Sequence, residues 1–241
     1  MHGYITNIES MGLVDGPGIR TVVFLGGCKL RCKYCENPEG WNGGTPNITV
    51  EELVNKILRN KPYFKRNSGG VTFSGGEPLL QYDFLLAVCR RLKKEKIHIA
   101  LDTAGVGLGN YAELLEFVDL VLLDIKHTDE SEYVKLTGHT MEAFWAFLKA
   151  LNTSGKDVWI RQVIVPDIND TDAYMKDLAL FLKNVKNVKR VDFLPYHKLG
   201  DAKYDALNLS NPYREKIAMS KEKTDELYQI FKAYYGEELP F

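Results

Sequence analysis

The sequence predicts an α/β fold in which a parallel sheet is flanked by outer helices. Three observations predict it. Short apolar runs alternate about six times with longer segments of helical period, the runs are mostly continuous in apolar residues, and no repeat, low-complexity tract or linker divides the chain. Continuous apolar runs are typical of parallel strands covered on both faces. Strand–helix alternation favours right-handed crossovers. We therefore expect residues 1–241 to form a single domain.

The predicted elements follow from these runs in order. The strands are rich in Val, Ile, Leu and Phe, and span 20–26, 70–75, 97–103, 119–125, 157–165 and 190–196. The helices span 48–60, 79–96, 110–118, 141–155, 172–185 and 220–236. The first helix has a capping box, because Thr49 at its N-cap is followed three residues later by Glu52. The second ends in basic residues, which suit the C-terminal end of a helix dipole.

Composition excludes several classes of function. The net charge is −1, from 31 basic and 32 acidic residues, so we expect no nucleic-acid partner. No apolar run approaches the roughly 20 residues of a membrane span. The first ten residues, MHGYITNIES, lack the basic start and apolar stretch of a secretory signal. We therefore expect a cytoplasmic protein, in which thiols stay reduced and clustered cysteines bind metal or take part in chemistry.

The unusual motifs all follow predicted strands. In parallel α/β folds the site lies at the C-terminal ends of the strands. The motifs that follow the strands there are the cysteine loop GGCKLRCKYCENPEGW, then SGGEP, DTAG, DIKH and PYH. Because these motifs share this position, we expect them to form one functional site at the C-terminal edge of the sheet.

Three of the four cysteines, Cys28, Cys32 and Cys35, form a C-x3-C-x2-C pattern. The fourth, Cys89, lies on the apolar face of a predicted helix and is interpreted as a core residue. A closed zinc site requires four ligands, and a three-ligand catalytic zinc usually includes histidine. A [4Fe–4S] cluster normally takes four thiolates, so three would leave one iron open to a small molecule. Zinc and iron–sulfur binding both remain open on spacing alone.

This spacing after the first strand, with the aromatic Tyr34 before the third cysteine, resembles the radical S-adenosylmethionine (SAM) enzymes. The resemblance implies that Cys28, Cys32 and Cys35 hold a [4Fe–4S] cluster whose open iron chelates SAM. It also implies reductive cleavage of SAM to methionine and a 5′-deoxyadenosyl radical, which leaves as 5′-deoxyadenosine after it abstracts hydrogen. No general acid or base is needed for that reaction.

The flanking residues narrow the resemblance. The stretch DGPGIRTVVFLGGC, together with Asn37, resembles the signature of the glycyl radical enzyme activating enzymes. Many of these enzymes carry a ferredoxin-like insert with further cysteines, and its absence here favours the type that acts on pyruvate formate-lyase. Glu36 departs from the histidine common at its position in that type and resembles activases of other glycyl radical enzymes.

The resemblance implies a partial (βα)6 TIM-like barrel, open at one side to a protein substrate. The implied partners are a glycyl radical enzyme, either pyruvate formate-lyase or a relative, and a flavodoxin or ferredoxin as electron donor. A monomer is expected. Two other functions stay open: a radical SAM enzyme acting on a small molecule, and a non-catalytic metal-binding module.

The resemblance also implies site residues. Those expected at the cofactors are Tyr34, Cys35, Glu36, Asn37, Gly75, Gly76, Glu77, Asp102, Asp124, Lys126, His127, Arg161 and His197. Those expected at a monovalent cation are Asp102, Thr103, Asp124 and the carbonyl of Leu122. Those expected at the target peptide are Asp15, Gly16, Pro17, Gly18 and Arg20. The alternative for Asp102 and Asp124 is that they cap turns. Arg161 interrupts an apolar strand, and a buried arginine requires partners.

Overall fold

The computed structural model describes residues 1–66 and 68–236. Its strands are β1 His2–Gly3, β2 Ile5–Gly12, β3 Arg20–Leu25, β4 Ile48–Thr49, β5 Gly70–Gly75, β6 His98–Thr103, β7 Leu120–Asp124, β8 Asp157–Ile164 and β9 Val188–Pro195. Its helices are α1 Val50–Leu58, α2 Lys61–Arg66, α3 Tyr82–Lys94, α4 Tyr111–Glu116, α5 Glu130–Thr137, α6 Glu142–Ser154, α7 Asp172–Leu182, α8 Asp201–Ala206 and α9 Lys221–Tyr235. Short 3-10 turns cover Pro38–Gly40 and Pro78–Gln81.

The central sheet confirms the predicted parallel architecture and adds one strand to it. Its order is β2-β3-β5-β6-β7-β8-β9, and the six strands from β3 to β9 are parallel neighbours in chain order. The edge strand β2 is antiparallel to β3 and was not predicted. In the described part of the chain, β2 and β9 each pair with one neighbour, so the sheet stays open at one side. This is the partial barrel that was expected.

The two faces of each strand have different surroundings. Phe73, Leu101 and Leu123 belong to the main hydrophobic core with the apolar faces of the surrounding helices. Their neighbours Ser74 and Asp102 lie on the inner face, where the Ser74 hydroxyl donates to Asp102 Oδ2 over 2.7 Å. Successive residues of a strand point to opposite faces. The barrel interior is therefore lined by polar residues near its C-terminal rim.

Local signals in the sequence account for the helix boundaries. The capping box at α1 is confirmed: Thr49 Oγ1 accepts from the backbone N–H of Glu52, whose carboxylate accepts from the backbone N–H of Thr49. Cys89 is fully buried within α3 and belongs to the core, as predicted. Within residues 1–66 and 68–236, no helix combines the length and apolar character that a bilayer crossing requires.

Candidate active site

A cavity of about 230 Å³ lies at the C-terminal rim of the parallel strands. The predicted residues that line it are Cys28, Cys32, Tyr34, Cys35, Glu36, Asn37, Gly75, Gly76, Asp102, Thr103, Asp124, Lys126, Arg161 and His197. The lining residues that were not predicted are Leu30, Trp41, Ser74, Ala104, Val163, Leu194, Pro195 and Tyr196. The structure thus brings residues from six parallel strands and their following loops to one cavity.

The backbone of the cysteine loop is hydrogen-bonded to the C-terminal end of α5. The backbone N–H of Arg31 donates to the carbonyl of Thr137 at 2.8 Å, and that of Lys33 donates to the carbonyl of Leu136 at 3.0 Å. These carbonyls lie in the last turn of α5, where a helix leaves acceptors unpaired. The loop therefore completes the end of the helix, and the helix fixes the loop.

The three thiols sit in a buried environment. Burial raises the pKa of Cys28 to about 12 and that of Cys32 to about 11, so the free thiols stay protonated at neutral pH. Backbone N–H groups of Leu30 and Asn37 hydrogen-bond to Cys28 and Cys35, respectively, and such bonds stabilise thiolates. A bound metal would displace the thiol protons, because thiolate is the ligand form.

The donor geometry fits an iron–sulfur cluster better than a single ion. Among residues 1–66 and 68–236, no three His, Cys, Asp or Glu side chains converge closely enough to hold one metal ion. In a [4Fe–4S] cluster each thiolate binds a different iron, so the three sulfurs need not converge on one point. The cysteines and the cavity beside them therefore fit a cluster.

Gly75, the last residue of β5, and Gly76, which follows it, are required by close backbone packing. A Cβ atom at Gly75, where φ is +117°, would clash with the carbonyl oxygen of Leu25. One at Gly76 would clash with the carbonyl oxygen of Gly27. The backbone N–H of Gly76 donates to Leu25 over 2.8 Å. The turn therefore presents bare backbone to the cavity.

Glu77 does not line the cavity. Its buried carboxylate accepts from the Thr103 hydroxyl at 2.6 Å and from the backbone N–H of Ala104 at 3.0 Å and of Leu79 at 3.2 Å. Burial raises the pKa of Glu77 to about 7. The hydrogen bonds that its carboxylate accepts lower the pKa, but burial is the larger effect. Glu77 thus holds the loop after β5 to the loop after β6. The hydroxyl of Thr103 is committed to Glu77.

A charged network crosses the interior of the barrel. Arg161 Nη1 lies 3.3 Å from Asp102 Oδ2, and Arg161 Nη2 lies 3.3 Å from Asp15 Oδ1. Burial raises the pKa of Asp102, and the charge of Arg161 opposes that rise. Asp102 Oδ1 and Arg161 Nε are buried, and the described residues offer them no hydrogen-bond partner. The network therefore keeps one acceptor and one donor for a polar ligand.

A second ion pair faces the cysteines. Lys126 Nζ lies 2.8 Å from Asp124 Oδ2 and 5.7 Å from the centre of the Tyr34 ring. Burial lowers the pKa of Lys126, but the negative charge of Asp124 more than offsets it and holds the pKa well above its usual value. Lys126 is therefore a permanent cation at the wall of the cavity.

Besides Glu77, two further residues predicted at the cofactors or the cation, His127 and Leu122, do not line the cavity. His127 packs against Tyr174, with ring centres 4.9 Å apart, and its Nδ1 accepts from the backbone N–H of Asp129. His127 follows Lys126 in the chain but does not line the cavity. Leu122 is fully buried in β7, in register with Asp102 on β6. The structure brings Asp102 and Asp124 to one face but gives His127 a packing role.

The DGPG loop is fixed by Arg20, which is fully buried and has no access to a peptide. Its Nη1 donates to the carbonyl of Pro17 at 2.9 Å, and its Nε donates to the Thr72 hydroxyl at 2.6 Å. That hydroxyl donates in turn to the carbonyl of Asp15 at 2.5 Å. Gly16 has φ +123°, and a Cβ atom there would lie 3.0 Å from Arg20. The expected peptide contact of Arg20 is replaced by a role in positioning the loop.

Two predicted residues face each other at the mouth of the cavity, and a residue that the sequence analysis missed, Lys203, supports the loop beside them. His197 Nε2 lies 3.5 Å from Glu36 Oε2, across the opening. Lys203 in α8 contacts Asn37 Oδ1 at 2.5 Å and Glu39 Oε1 at 2.7 Å. No motif marks Lys203, and its contact with the cysteine loop spans 166 residues of sequence.

Comparison with known proteins matches this geometry to a family. The radical SAM superfamily matches residues 22–181, which include the three cysteines and the Gly75–Gly76 turn. The pyruvate formate-lyase-activating enzyme of Clostridium pasteurianum is 54% identical over 231 residues, covering 95% of this chain and 97% of that protein. The enzyme of the same name from Staphylococcus epidermidis is 42% identical, covering 89% of this chain and 88% of that protein.

The chain belongs to the radical SAM superfamily and, within it, to the family of these activating enzymes. Membership of the radical SAM superfamily implies a [4Fe–4S] cluster and SAM. The three cysteines of the loop after β3 agree with that implication. Among solved structures, a domain of pyruvate-formate lyase-activating enzyme from Bacteroides vulgatus has a TM-score of 0.54 at 25% identity, covering 69% of this chain and 94% of that chain. A radical SAM methyltransferase from Sphaerobacter thermophilus has a TM-score of 0.65 at 20% identity, covering 96% of this chain and 75% of that chain, and supports the fold.

Proposed function

We propose that this radical SAM protein activates pyruvate formate-lyase or a close relative by installing a radical on one of its backbone glycines. The observation that carries the proposal is a single cavity that joins the three cysteines to Arg161, whose other partner is Asp15 of the DGPG loop. A site for the cofactors and a loop for the target peptide are thereby adjacent. The 54% identity to an enzyme of that name supports the same partner.

The cofactors would be held by residues of the cavity wall. Cys28, Cys32 and Cys35 would hold the cluster, and the backbone at Gly75–Gly76 would receive the amino group of SAM. When bound, the cluster and SAM supply a 5′-deoxyadenosyl radical, which takes a hydrogen atom from the target glycine. The chain itself binds and orients the reactants and excludes water, which suits cofactor enzymes generally.

Polar side chains would orient SAM within the cavity. Lys126 and Arg161 are buried cations and suit the SAM carboxylate. Asn37 and His197 would contact the remainder of the molecule at the mouth. A monovalent cation would bind between Asp102 and Asp124, where Asp102 Oδ1 is buried without a partner in the described residues. Carboxylate oxygens are the ligands that such cations prefer.

The target peptide would enter at the open side of the barrel and lie along the DGPG loop. Asp15, Gly16 and Gly18 would contact it directly, and Arg20 would hold the loop in place. We further propose a cytoplasmic monomer of one domain that receives electrons from a flavodoxin or ferredoxin. Neither donor nor oligomeric state affects the assignment of the cavity.

The test is transfer of the radical itself. The protein is reconstituted with iron and sulfide under anaerobic conditions and mixed with SAM, dithionite and pyruvate formate-lyase. Electron paramagnetic resonance should then show a glycyl radical on the partner, with 5′-deoxyadenosine as a product. Cys32→Ala should abolish both signals, whereas Cys89→Ala, which changes the remaining cysteine, should retain them. Zinc without iron in the purified and reconstituted protein, or an intact radical yield in Cys32→Ala, would refute the proposal.

A further inference from the structure

Arg20 is a buried cation whose hydrogen-bond partners in the described residues include no carboxylate. Its Nε donates to the Thr72 hydroxyl and its Nη1 to the carbonyl of Pro17. Its Nη2 donates to the carbonyl of Val71 at 2.5 Å and lies 3.3 Å from Nδ1 of His98. Burying a charge is costly unless hydrogen bonds replace its hydration. The position of Arg20 therefore depends on each of these acceptors.

The contact with Arg20 defines the protonation state that His98 needs. A guanidinium has only N–H donors and no acceptor. Arg20 keeps its proton at neutral pH, since burial lowers its pKa only to about 10. The Nδ1 atom of His98 must therefore be the acceptor, which places the single ring proton on Nε2. A second ring proton would occupy Nδ1 and replace the hydrogen bond with repulsion between two cations.

The charges around His98 also favour its neutral form. His98 begins β6, its side chain is only partly buried, and its partner in β5 is the uncharged Gly70. Burial lowers the pKa of His98 below its ordinary value of 6.5, as do the positive charges of Arg20 and Lys93. Asp119 opposes this effect, but its carboxylate is already bound to Lys93 at 2.7 Å and to a backbone N–H at 2.8 Å.

Arg20 connects this histidine to the DGPG loop at two points. One is its direct hydrogen bond to the carbonyl of Pro17. The other runs through Thr72, whose hydroxyl accepts from Arg20 and donates to the carbonyl of Asp15 at 2.5 Å. Because the guanidinium is planar and rigid, Nη2 cannot move away from His98 without shifting Nη1 and Nε as well. Both contacts with the loop therefore depend on the acceptor that His98 provides.

We propose that neutral His98 is a positioning residue, which holds Arg20, and through it the DGPG loop, in the conformation that binds the target peptide. The inference rests on the proposed function, because that function assigns the loop to the peptide. Protonation of His98 should displace Arg20 and weaken peptide binding. SAM binding should change little, since neither His98, Arg20 nor Thr72 lines the cavity.

The first test is the tautomer and the titration of His98 in the full-length protein. Nuclear magnetic resonance of protein labelled with nitrogen-15 at histidine distinguishes the two neutral tautomers from the doubly protonated ring. His98→Asn assigns the signal by removing it. We expect the proton on Nε2 at neutral pH and a titration midpoint below 6.5. A proton on Nδ1 at neutral pH, or a midpoint that is not below 6.5, would overturn the inference.

The second test is peptide binding as a function of pH. Protein that carries the cluster and SAM, without reductant, is titrated with a fluorescently labelled glycine-loop peptide of pyruvate formate-lyase. As the pH falls through the midpoint of His98, the dissociation constant of the wild type should rise about tenfold, the effect of losing one charged hydrogen bond. His98→Asn offers Oδ1 as an acceptor and cannot titrate, so its affinity should stay near that of the neutral wild type. His98→Ala should bind about tenfold more weakly at every pH.

The matched control is His139→Asn, which changes an exposed histidine and should follow the wild-type profile. SAM affinity, measured on the same samples, should be the same in every variant, which separates a displaced loop from a general loss of structure. A pH dependence in His98→Asn equal to that of the wild type would overturn the inference while the proposed function stands. A wild-type protein that binds no peptide at neutral pH would contradict the proposed function, and the histidine titration would still decide whether His98 accepts from Arg20.

Discussion

Glu77 shows how a single buried charge shapes the site without lining it. Its carboxylate accepts hydrogen bonds from the loops after β5 and β6, and both loops contribute cavity residues. Burial raises its pKa to about 7 from an ordinary value near 4.5. Because the pKa is raised on folding, the stabilisation is fully present below pH 4.5 and is lost as the pH rises through about 7.

Glu77→Gln should therefore alter the pH dependence of stability. Between pH 5 and pH 8, the free energy of unfolding of the wild type should fall by roughly 3 kcal/mol relative to that of the variant. Urea denaturation of the cluster-free protein at several pH values measures this difference. The control is Glu95→Gln, because Lys61 lowers the pKa of Glu95 and keeps it ionised throughout. A difference that does not change with pH would contradict the assignment.

Arg20 is a second buried residue that does not line the cavity but positions a loop beside it. Arg20→Lys keeps the charge but loses the guanidinium fork that binds Pro17 and Thr72. The Michaelis constant for a glycine-containing peptide should rise about tenfold, the effect of losing one charged hydrogen bond. SAM cleavage measured without peptide should not change. The exposed Arg59→Lys serves as control, and an equal loss of uncoupled SAM cleavage in Arg20→Lys would show that the loop is not the affected part.

At the scale of elements, the six parallel strands and the helices α1, α3, α4, α6, α7 and α9 were predicted, whereas β2, α2, α5 and α8 were not. Several of the six parallel strands have a continuous apolar run, because both of their faces are covered, whereas β8 and β9 also contain charged residues. The strand β2, ITNIESMG, alternates irregularly and lies at the sheet edge, so its sequence resembles a loop. The helices α2 (KPYFKR) and α8 (DAKYDA) have six residues with few apolar positions, and α5 has eight, so none shows a clear helical period. Their positions depend on tertiary contacts that no local pattern contains.

At the scale of elements, we predict that α8 supports SAM binding through Lys203. Lys203 at its centre binds Asn37 and Glu39, and so fixes the end of the cysteine loop. In Lys203→Met the Michaelis constant for SAM should rise several-fold, since Asn37 loses a charged hydrogen bond. Iron content should remain near that of the wild type, because the cysteines are unchanged. Lys189→Met removes a lysine at an exposed ion pair and should alter neither quantity. A normal Michaelis constant in Lys203→Met would separate α8 from SAM binding.

At the scale of the whole molecule, the position of the site at the C-terminal edge of the sheet could be predicted from the sequence. The roles of the individual residues at that edge could be predicted only in part. The ends of parallel strands meet at one edge whatever the loops do, so motifs at strand ends converge. Whether a side chain faces the interior depends on the register at the strand end. Lys126 and His127 are neighbours in sequence, yet only Lys126 lines the cavity. Arg20 carries the family motif but faces the barrel interior behind the loop.

Ligand-linked stability tests the molecule as one unit. A ligand at 100 times its dissociation constant stabilises the folded state by about 2.7 kcal/mol. In a protein of this size each kcal/mol moves the melting temperature by about 2–4 °C. Saturating SAM should therefore raise the melting temperature of the cluster-loaded protein by about 5–10 °C, measured by anaerobic scanning fluorimetry. The replacement of Cys28, Cys32 and Cys35 together by Ala should abolish the shift, because the open iron is lost. Cys89→Ala should melt earlier, since it leaves a cavity in the core, yet retain the full shift with SAM. An equal shift in the triple variant would mean that SAM binds without the cluster, and the cysteines would then not form its site.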